Sequence, residues 1–286
     1  AGERRHLPGA KEKAAQLQPG KGVGQGGRRL LNFIWKNMKV LSIGTDKNLL
    51  KSGAPVTERI SEYGKLVDEL HIVVFCLAKE CGGEVVSLPN GVFVYPTSSG
   101  SKINYLKDAV RLAKNIISKD KENISNWIVT TQDPFETGLA GWLASRGVGV
   151  PLNVQVHTDF LNKYFRRESL LNFIRFYLGK FILRRAKTIR AVSYRIKNSI
   201  ISQLKISPAK LFVLPVWVDI IKIEEAAPSL DLHKKYPQFD FIALMISRFS
   251  VEKNIFLALR AVAKIVKKQP RDVLIIVGDG TFKKDL

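Results

Sequence analysis

The chain has 286 residues, 45% of them hydrophobic and 9% aromatic, which suits a globular protein of about two domains and excludes a disordered one. No apolar run reaches the roughly 18 residues that cross a bilayer, and the amino terminus has no apolar signal core, so neither a spanning helix nor secretion is expected. The formal charge of +21 is concentrated, with eight Lys/Arg against two acids in 1–37 and thirteen against Glu168 alone in 162–210, which points to anionic partners: phospholipid headgroups, nucleotide phosphates or nucleic acid.

Residues 1–37, rich in Gly, Gln, Lys and Arg, show no sustained period and are expected to be a basic segment that is disordered or not native to the fold, with a basic nucleic-acid arm as the sharper reading. Met38–Ile43 opens a strand pattern, Val56–Leu66 a helix and His71–Ala78 a buried strand. Glu84–Leu88 and Val92–Tyr95 flank Pro89-Asn90-Gly91, a hairpin signal because Asn-Gly accepts the positive φ of such turns. Ser101 is expected to cap a helix carrying Ile103, Leu106, Val110, Ala113 and Ile117 on one face. Trp127–Thr131, Leu152–Val156, Thr188–Ser193 and Leu211–Val216 follow as strands. Thr137–Ser145, Lys163–Arg185 and Tyr194–Gln203 alternate with them as helices. Repeated βα units predict a parallel, doubly wound, Rossmann-type sheet over 38–218. Cys76 and Cys81 lack the further Cys or His of a zinc site and are expected as reduced thiols of a cytoplasmic protein.

Residues 219–240, with Pro228, Pro237 and Glu224-Glu225, break the rhythm and are expected to be an interdomain linker. From 241 the pattern gives strand, helix and strand only. That is too little for a core of its own, so the chain is expected to be cut short in this second domain.

The sharpest motif is Ser247-Arg248-Phe249-Ser250-Val251-Glu252-Lys253-Asn254, between the apolar run Phe241–Ile246 and a helix pattern beginning at Ile255. Two cations at a strand-to-helix junction suit a phosphate, held by charge and by helix amides together. The plain alternative is a surface loop with solvated cations. Arg-x4-Lys-Asn before an amphipathic helix, then Val273-Leu-Ile-Ile-Val-Gly278-Asp279-Gly280, resembles the donor domain of family 4 retaining glycosyltransferases, enzymes of the GT-B fold. The resemblance implies that Arg248 and Lys253 grip the diphosphate of a nucleoside-diphosphate sugar, with Gly278 and Gly280 in the donor-site loop. It also implies that the second domain is the nucleotide-sugar domain; no metal or other cofactor is expected, because the cations and the helix dipole neutralise the diphosphate and no Asp-x-Asp pair appears.

The resemblance extends over 38–219 through Glu58–Ile72, with Gly53 just ahead where the family has a donor-side glycine loop. Taken alone, Gly53 is equally a plain turn glycine. Asp133, between a strand and a helix, is either a helix cap or, by the resemblance, an acceptor-side residue. His157 is the first polar residue past a buried strand. It is either structural or, as in the family, close to the donor sugar as an electrostatic and orienting partner. Pro215-Val216-Trp217-Val218-Asp219 stands where the family has Pro-Asn-Gly-Val-Asp, and the loss of Asn-Gly alters the hinge turn. The family's two glutamates, eight apart, are absent from the second domain as given, so this chain is expected to be inactive by itself.

The apolar residues of Glu168–Arg185 predict a packing helix. The sharper reading sets Lys163, Arg166, Arg167, Arg184 and Arg185 against anionic lipid. The expected activity is retaining transfer of a hexose from a nucleoside-diphosphate sugar to a saccharide or lipid-linked acceptor. It would take place in the cytoplasm, peripherally on the inner face of the cell membrane, with no specific nucleic acid as partner. The alternatives are a GT-B nucleotide-sugar epimerase and a non-enzymatic basic protein binding nucleic acid or membrane.

Overall fold

The computed structural model describes residues 37–283 apart from 52, 217, 219, 229 and 281. Residues 1–36 of the expected basic segment, and Trp217 and Asp219 of the expected hinge, therefore lie outside the described residues. The chain divides into two compact units, 1–216 and 217–286.

In the first unit, β1 (Lys39–Gly44), β2 (Glu69–Val74), β3 (Val86–Leu88), β4 (Val92–Pro96), β5 (Trp127–Thr131), β6 (Leu152–Val156), β7 (Thr188–Ala191) and β8 (Leu211–Val213) form one sheet. Their order is β3-β4-β2-β1-β5-β6-β7-β8. Among the described residues every pairing is parallel except β3 with β4, whose hairpin turns through Asn90 (φ 63°) and Gly91 (φ 69°). The helices are α1 (Pro55–Gly64), α2 (Tyr105–Ser118), α3 (Glu136–Val148), α4 (Lys163–Glu168), α5 (Leu170–Arg185) and α6 (Tyr194–Leu204).

Strands buried on both faces need apolar residues at successive positions, and the two faces of this sheet carry separate cores. On one, Leu41, Ile43, Val129, Val154 and Ile189 pack with residues of α2, α3, α5 and α6. On the other, Leu70, Ile72, Val74, Val92 and Val94 pack with Val56 and Ile60 of α1. Along β5, β6 and β7 that second face changes character. Thr130, Asn153, Gln155, Thr188 and Arg190 replace apolar residues and hydrogen-bond from strand to strand.

Three expectations are corrected here. The expected helix Lys163–Arg185 is two helices, because Ser169 is extended (φ −158°, ψ 160°) and its Oγ accepts from Asn172 N at 3.1 Å, capping α5. Ser101 makes no side-chain cap, and Ile103 projects outward at 90% exposure from a 3-10 turn ahead of α2. Cys76 and Cys81 are joined as a disulfide. The backbone doubles back after Leu77, whose carbonyl accepts from both Glu80 N and Cys81 N, and this brings the second sulfur to the first.

In the second unit, β9 (Phe241–Ile246) and β10 (Asp272–Val277) pair in parallel, with α9 (Ile255–Val266) between them in sequence. The segment expected as a linker carries two short helices, α7 (Ile220–Glu224) and α8 (Leu232–Lys235). Asp231 starts α8, accepting from His233 N and Lys234 N.

Candidate active site

Ligands of open parallel sheets sit beyond the carboxyl ends of the strands, where the direction of winding reverses. Here that point lies between β1 and β5, and the two loops are tied together. Gln132, the residue after β5, accepts at Oε1 from Thr45 N at 2.8 Å and Thr45 Oγ1 at 3.3 Å. Gly44 permits this, since a Cβ there would stand 2.8 Å from the same oxygen. The expected loop glycine, Gly53, instead occupies a turn before α1 at φ 71° with nothing within 4 Å of its missing side chain. Gly44 was not singled out from the sequence, although a glycine closing a predicted strand is a readable sign of close approach.

Asp133 is half-buried beside Gln132. Its Oδ1 accepts from Phe135 N at 2.7 Å, and its carbonyl accepts from Thr131 Oγ1 and Thr137 Oγ1. Burial pushes the carboxyl up from its ordinary range, outweighing the Phe135 amide. The first residue of α3, Glu136, takes Arg175 of α5 through Nε to both carboxylate oxygens, at 2.8 and 3.1 Å.

His157 stands one strand over, exposed at the end of β6. Desolvation, then the Arg190 guanidinium, holds its ring below the ordinary imidazole value. Its Nε2 is 3.3 Å from Gln155 Oε1, and that oxygen accepts from Arg190 Nη1 at 2.7 Å. The structure thus places Asp133 and His157 at the ends of neighbouring strands and adds Gln155 and Arg190, which sequence reasoning missed. A polar residue on each of two adjacent buried strands was the available signal, but only the register Gln155↔Arg190 joins them.

The chain leaving His157 forms a rim of helices at the same end. Phe135 stacks on Phe165 of α4 at 5.6 Å and meets Phe160 edge-on at 5.4 Å, which fixes α4 to the strand-end loops. α5 buries Phe176, Gly179, Ile182 and Leu183. Its first two turns expose Leu170 at 77% and Ile174 at 55%, with Leu171, Phe173, Tyr177 and Tyr164 of α4 beside them. Lys163 lies over the Tyr164 ring at 5.2 Å, Arg166 over the Phe176 ring at 5.3 Å and Lys180 over the Tyr177 ring at 5.9 Å, so three cations border these rings, and Arg167 is exposed on α4. Arg184 and Arg185 stand at the far end of α5, about 24 Å along the helix from its start, with Arg185 over the Phe181 and Trp142 rings.

In the second unit the expected phosphate residues share the β9–α9 connection. Arg248 is exposed, and its Nη2 contacts Glu252 Oε1 at 3.3 Å. Lys253 ends a 3-10 turn, Val251–Lys253, and Asn254 (φ 46°) starts α9 without a side-chain cap, leaving first-turn amides open to an anion. Gly278 and Gly280 follow β10 where it crosses this connection. A Cβ on Gly278 would fall 1.9 Å from Ser247 O, and one on Gly280 would fall 2.4 Å from Phe249 O. Both glycines therefore set the path of the Arg248 loop.

The sequence matches the family description Glycosyltransferase Family 4 over residues 65–222. Among curated relatives, the UDP-Gal:alpha-D-GlcNAc-diphosphoundecaprenol alpha-1,3-galactosyltransferase of Escherichia coli is 28% identical over 223 residues, covering 70% of this chain and 57% of that protein. The alpha-monoglucosyldiacylglycerol synthase of Streptococcus pneumoniae is 27% identical over 169 residues, covering 56% of this chain and 38% of that protein. The chain thus spans less than two thirds of either relative. Among solved structures, TarM superposes with a TM-score of 0.59 at 11% identity, over 88% of this chain and 74% of TarM. The UDP-forming alpha,alpha-trehalose-phosphate synthase of Burkholderia xenovorans gives 0.55 at 14% identity, over 87% of this chain and 66% of that one. These likenesses show the α/β, Rossmann-like fold of the GT-B class.

Proposed function

The chain belongs to glycosyltransferase family 4, and from that premise we propose that it serves retaining transfer of a hexose from a nucleoside-diphosphate sugar to a lipid-linked acceptor at an anionic membrane surface. The observation that carries the reading is the company kept by the strand-end cluster of the first unit. His157 and Asp133 share that end with an exposed apolar strip bordered by Lys163, Arg166 and Lys180. An acceptor with a sugar head and a lipid tail needs both surfaces. Both curated relatives carry lipid-linked sugars in their names, one on diphosphoundecaprenol and one on diacylglycerol.

In the proposed reaction the bond from the anomeric carbon to the donor phosphate breaks, and a bond to the acceptor oxygen forms on the same face. The acceptor proton passes to the departing phosphate oxygen. Arg248 and Lys253 neutralise the diphosphate, assisted by the first-turn amides of α9. His157 orients the sugar and Asp133 lies on the acceptor side. The strip on α4 and α5 seats on the inner face of the cell membrane, its cations on headgroups and its aromatics in the interface. Among the described residues no helix is long and apolar enough to cross a membrane.

Sedimentation with vesicles of anionic phosphatidylglycerol and of neutral phosphatidylcholine tests the surface. The chain should pellet with the anionic vesicles and release as salt rises. Leu170→Asp combined with Phe173→Asp should lose at least about tenfold in partitioning, since each apolar side chain contributes about 1.5–3 kcal/mol on burial. Equal pelleting by that variant, or no binding to anionic vesicles at moderate salt, removes the membrane role. The donor assignment is read by titrating UDP and GDP into the chain. Arg248→Ala and Lys253→Ala should each weaken binding about tenfold or more, and unchanged binding in both rejects the phosphate site.

A further inference from the structure

The polar face of β5–β7 ends in a hydrogen-bond chain that fixes the state of His157. Gln155 and Arg190 are register partners on β6 and β7. The Arg190 guanidinium donates in three directions: Nη1 to Gln155 Oε1 at 2.7 Å, Nε to Leu214 O at 3.0 Å and Nη2 to Pro215 O at 3.1 Å. A guanidinium has no acceptor, so the Gln155 amide must turn its oxygen toward Arg190. Its nitrogen then faces Thr130 Oγ1, at 3.4 Å. The same amide oxygen lies 3.3 Å from His157 Nε2. An oxygen without a hydrogen can only accept, so the ring nitrogen facing it must be the protonated one.

We propose that Gln155 and Arg190 are positioning residues that hold neutral His157 as its Nε2–H tautomer and present Nδ1 as an acceptor for a sugar hydroxyl beyond the end of β6. The meaning of that acceptor rests on the glycosyl-transfer reading, but the tautomer does not. Arg190 is also bound to Leu214 and Pro215, two of the last three residues of the first unit, so the group that orients His157 is anchored to the segment where the chain leaves that unit. Among charged groups around the ring, Arg190 on β7 depresses its titration. Asp159, two residues along, is turned away to Arg195 and Ser199, each at 3.2–3.3 Å.

The test is long-range 1H–15N correlation of the imidazoles in the intact chain, across pH. His157 should show the Nε2–H tautomer when neutral, as should His71, whose Nε2 donates to the Glu69 carboxylate at 2.7 Å. Arg190→Gln should free the Gln155 amide to reverse, giving mixed tautomers and raising the His157 pKa toward the ordinary value. Arg190→Lys keeps the charge without the planar three-way donor set. It should leave the pKa low but still loosen the tautomer, separating charge from orientation. An Nδ1–H tautomer in the wild type overturns the proposal, as does Arg190→Gln with tautomer and pKa unchanged at full thermal stability. If Arg190→Gln does not fold, Gln155→Leu removes the acceptor alone, and an unchanged tautomer there is equally fatal. None of these results depends on turnover, so the tautomer can fail while hexose transfer stands, and the reverse.

Discussion

The two ends of the large sheet treat their polar groups in opposite ways. At the amino ends of the strands, Lys39 Nζ sits 3.0 Å from both Glu69 Oε1 and Asp120 Oδ2. The second Glu69 oxygen takes His71 Nε2–H, His71 Nδ1 accepts from Tyr95 OH at 2.9 Å, and Trp127 Nε1 donates to Asp120. The His71 ring lies among Phe93, Tyr95 and Trp127, with centroids 5.1–5.7 Å away. At the carboxyl ends, His157 has one side-chain partner at 3.3 Å, Gln132 and His157 face solvent, and Asp133 is half-buried. A network closed on itself stabilises the fold. Polar capacity left open at strand ends is what a substrate can use. The difference separates scaffold from candidate site without appeal to any motif.

The largest expected effect breaks the closed end. Lys39→Met leaves two carboxylates side by side with no cation between them. It should cost about 2–3 kcal/mol, less than loss of one partner of a fully buried pair because all three side chains are partly exposed, or roughly 4–12 °C in thermal midpoint for a unit of this size. The matching change in the second unit, Arg248→Met, removes an exposed pair and should cost under about 1 kcal/mol. Circular dichroism melts of both variants decide. Equal losses would erase the distinction between paired scaffold charge and open site charge.

His71 gives a smaller, pH-dependent version of the same test. Burial holds its ring below the ordinary value of 6.5, outweighing the Glu69 carboxylate that pulls the other way. The folded state therefore prefers neutral His71. The stability this gives is present above about pH 6.5 and is lost as pH falls through the lower folded value. His71→Phe should leave Glu69 and Tyr95 without their shared partner, at about 1–3 kcal/mol near neutral pH. It should also flatten the fall in stability between pH 7 and 5, measured by urea unfolding at stepped pH. A variant that keeps the full slope would assign that slope elsewhere.

Much of the scaffold was legible because it rests on local rules. β5, β6 and β9 run as their apolar patterns predict, and Asn90-Gly91 turns the hairpin because both residues tolerate positive φ. The break at Ser169 was hidden because apolar residues continue on both sides, and the serine had to be recognised as a cap rather than a surface position. The disulfide depends on a reversal at Leu77 that a five-residue spacing does not announce. The candidates Asp133 and His157 were legible in the sequence one at a time, but Gln155 and Arg190 were not. Their pairing was hidden, since Gln155 and Arg190 are 35 positions apart and meet only through sheet register.

The smallest expected effect is also the one whose sign separates the ends most sharply. Burial raises the Asp133 carboxyl above its ordinary range, so the folded state prefers the protonated acid. The stability associated with that preference is present below about pH 3.8 and is lost as pH rises through the folded value, the opposite sense to His71. At neutral pH the charged carboxylate is thus kept at a cost to the fold. Asn at this position retains an Oδ1 to accept from Phe135 N and carries no charge, so Asp133→Asn should stabilise the chain by about 0.5 kcal/mol near pH 7. If the carboxylate faces the acceptor, as proposed above, the same variant should weaken acceptor use while the melt improves. If Asp133→Asn instead lowers the midpoint at pH 7, the carboxylate is a structural cap whose charge the fold needs, and the acceptor role assigned to it falls with that result.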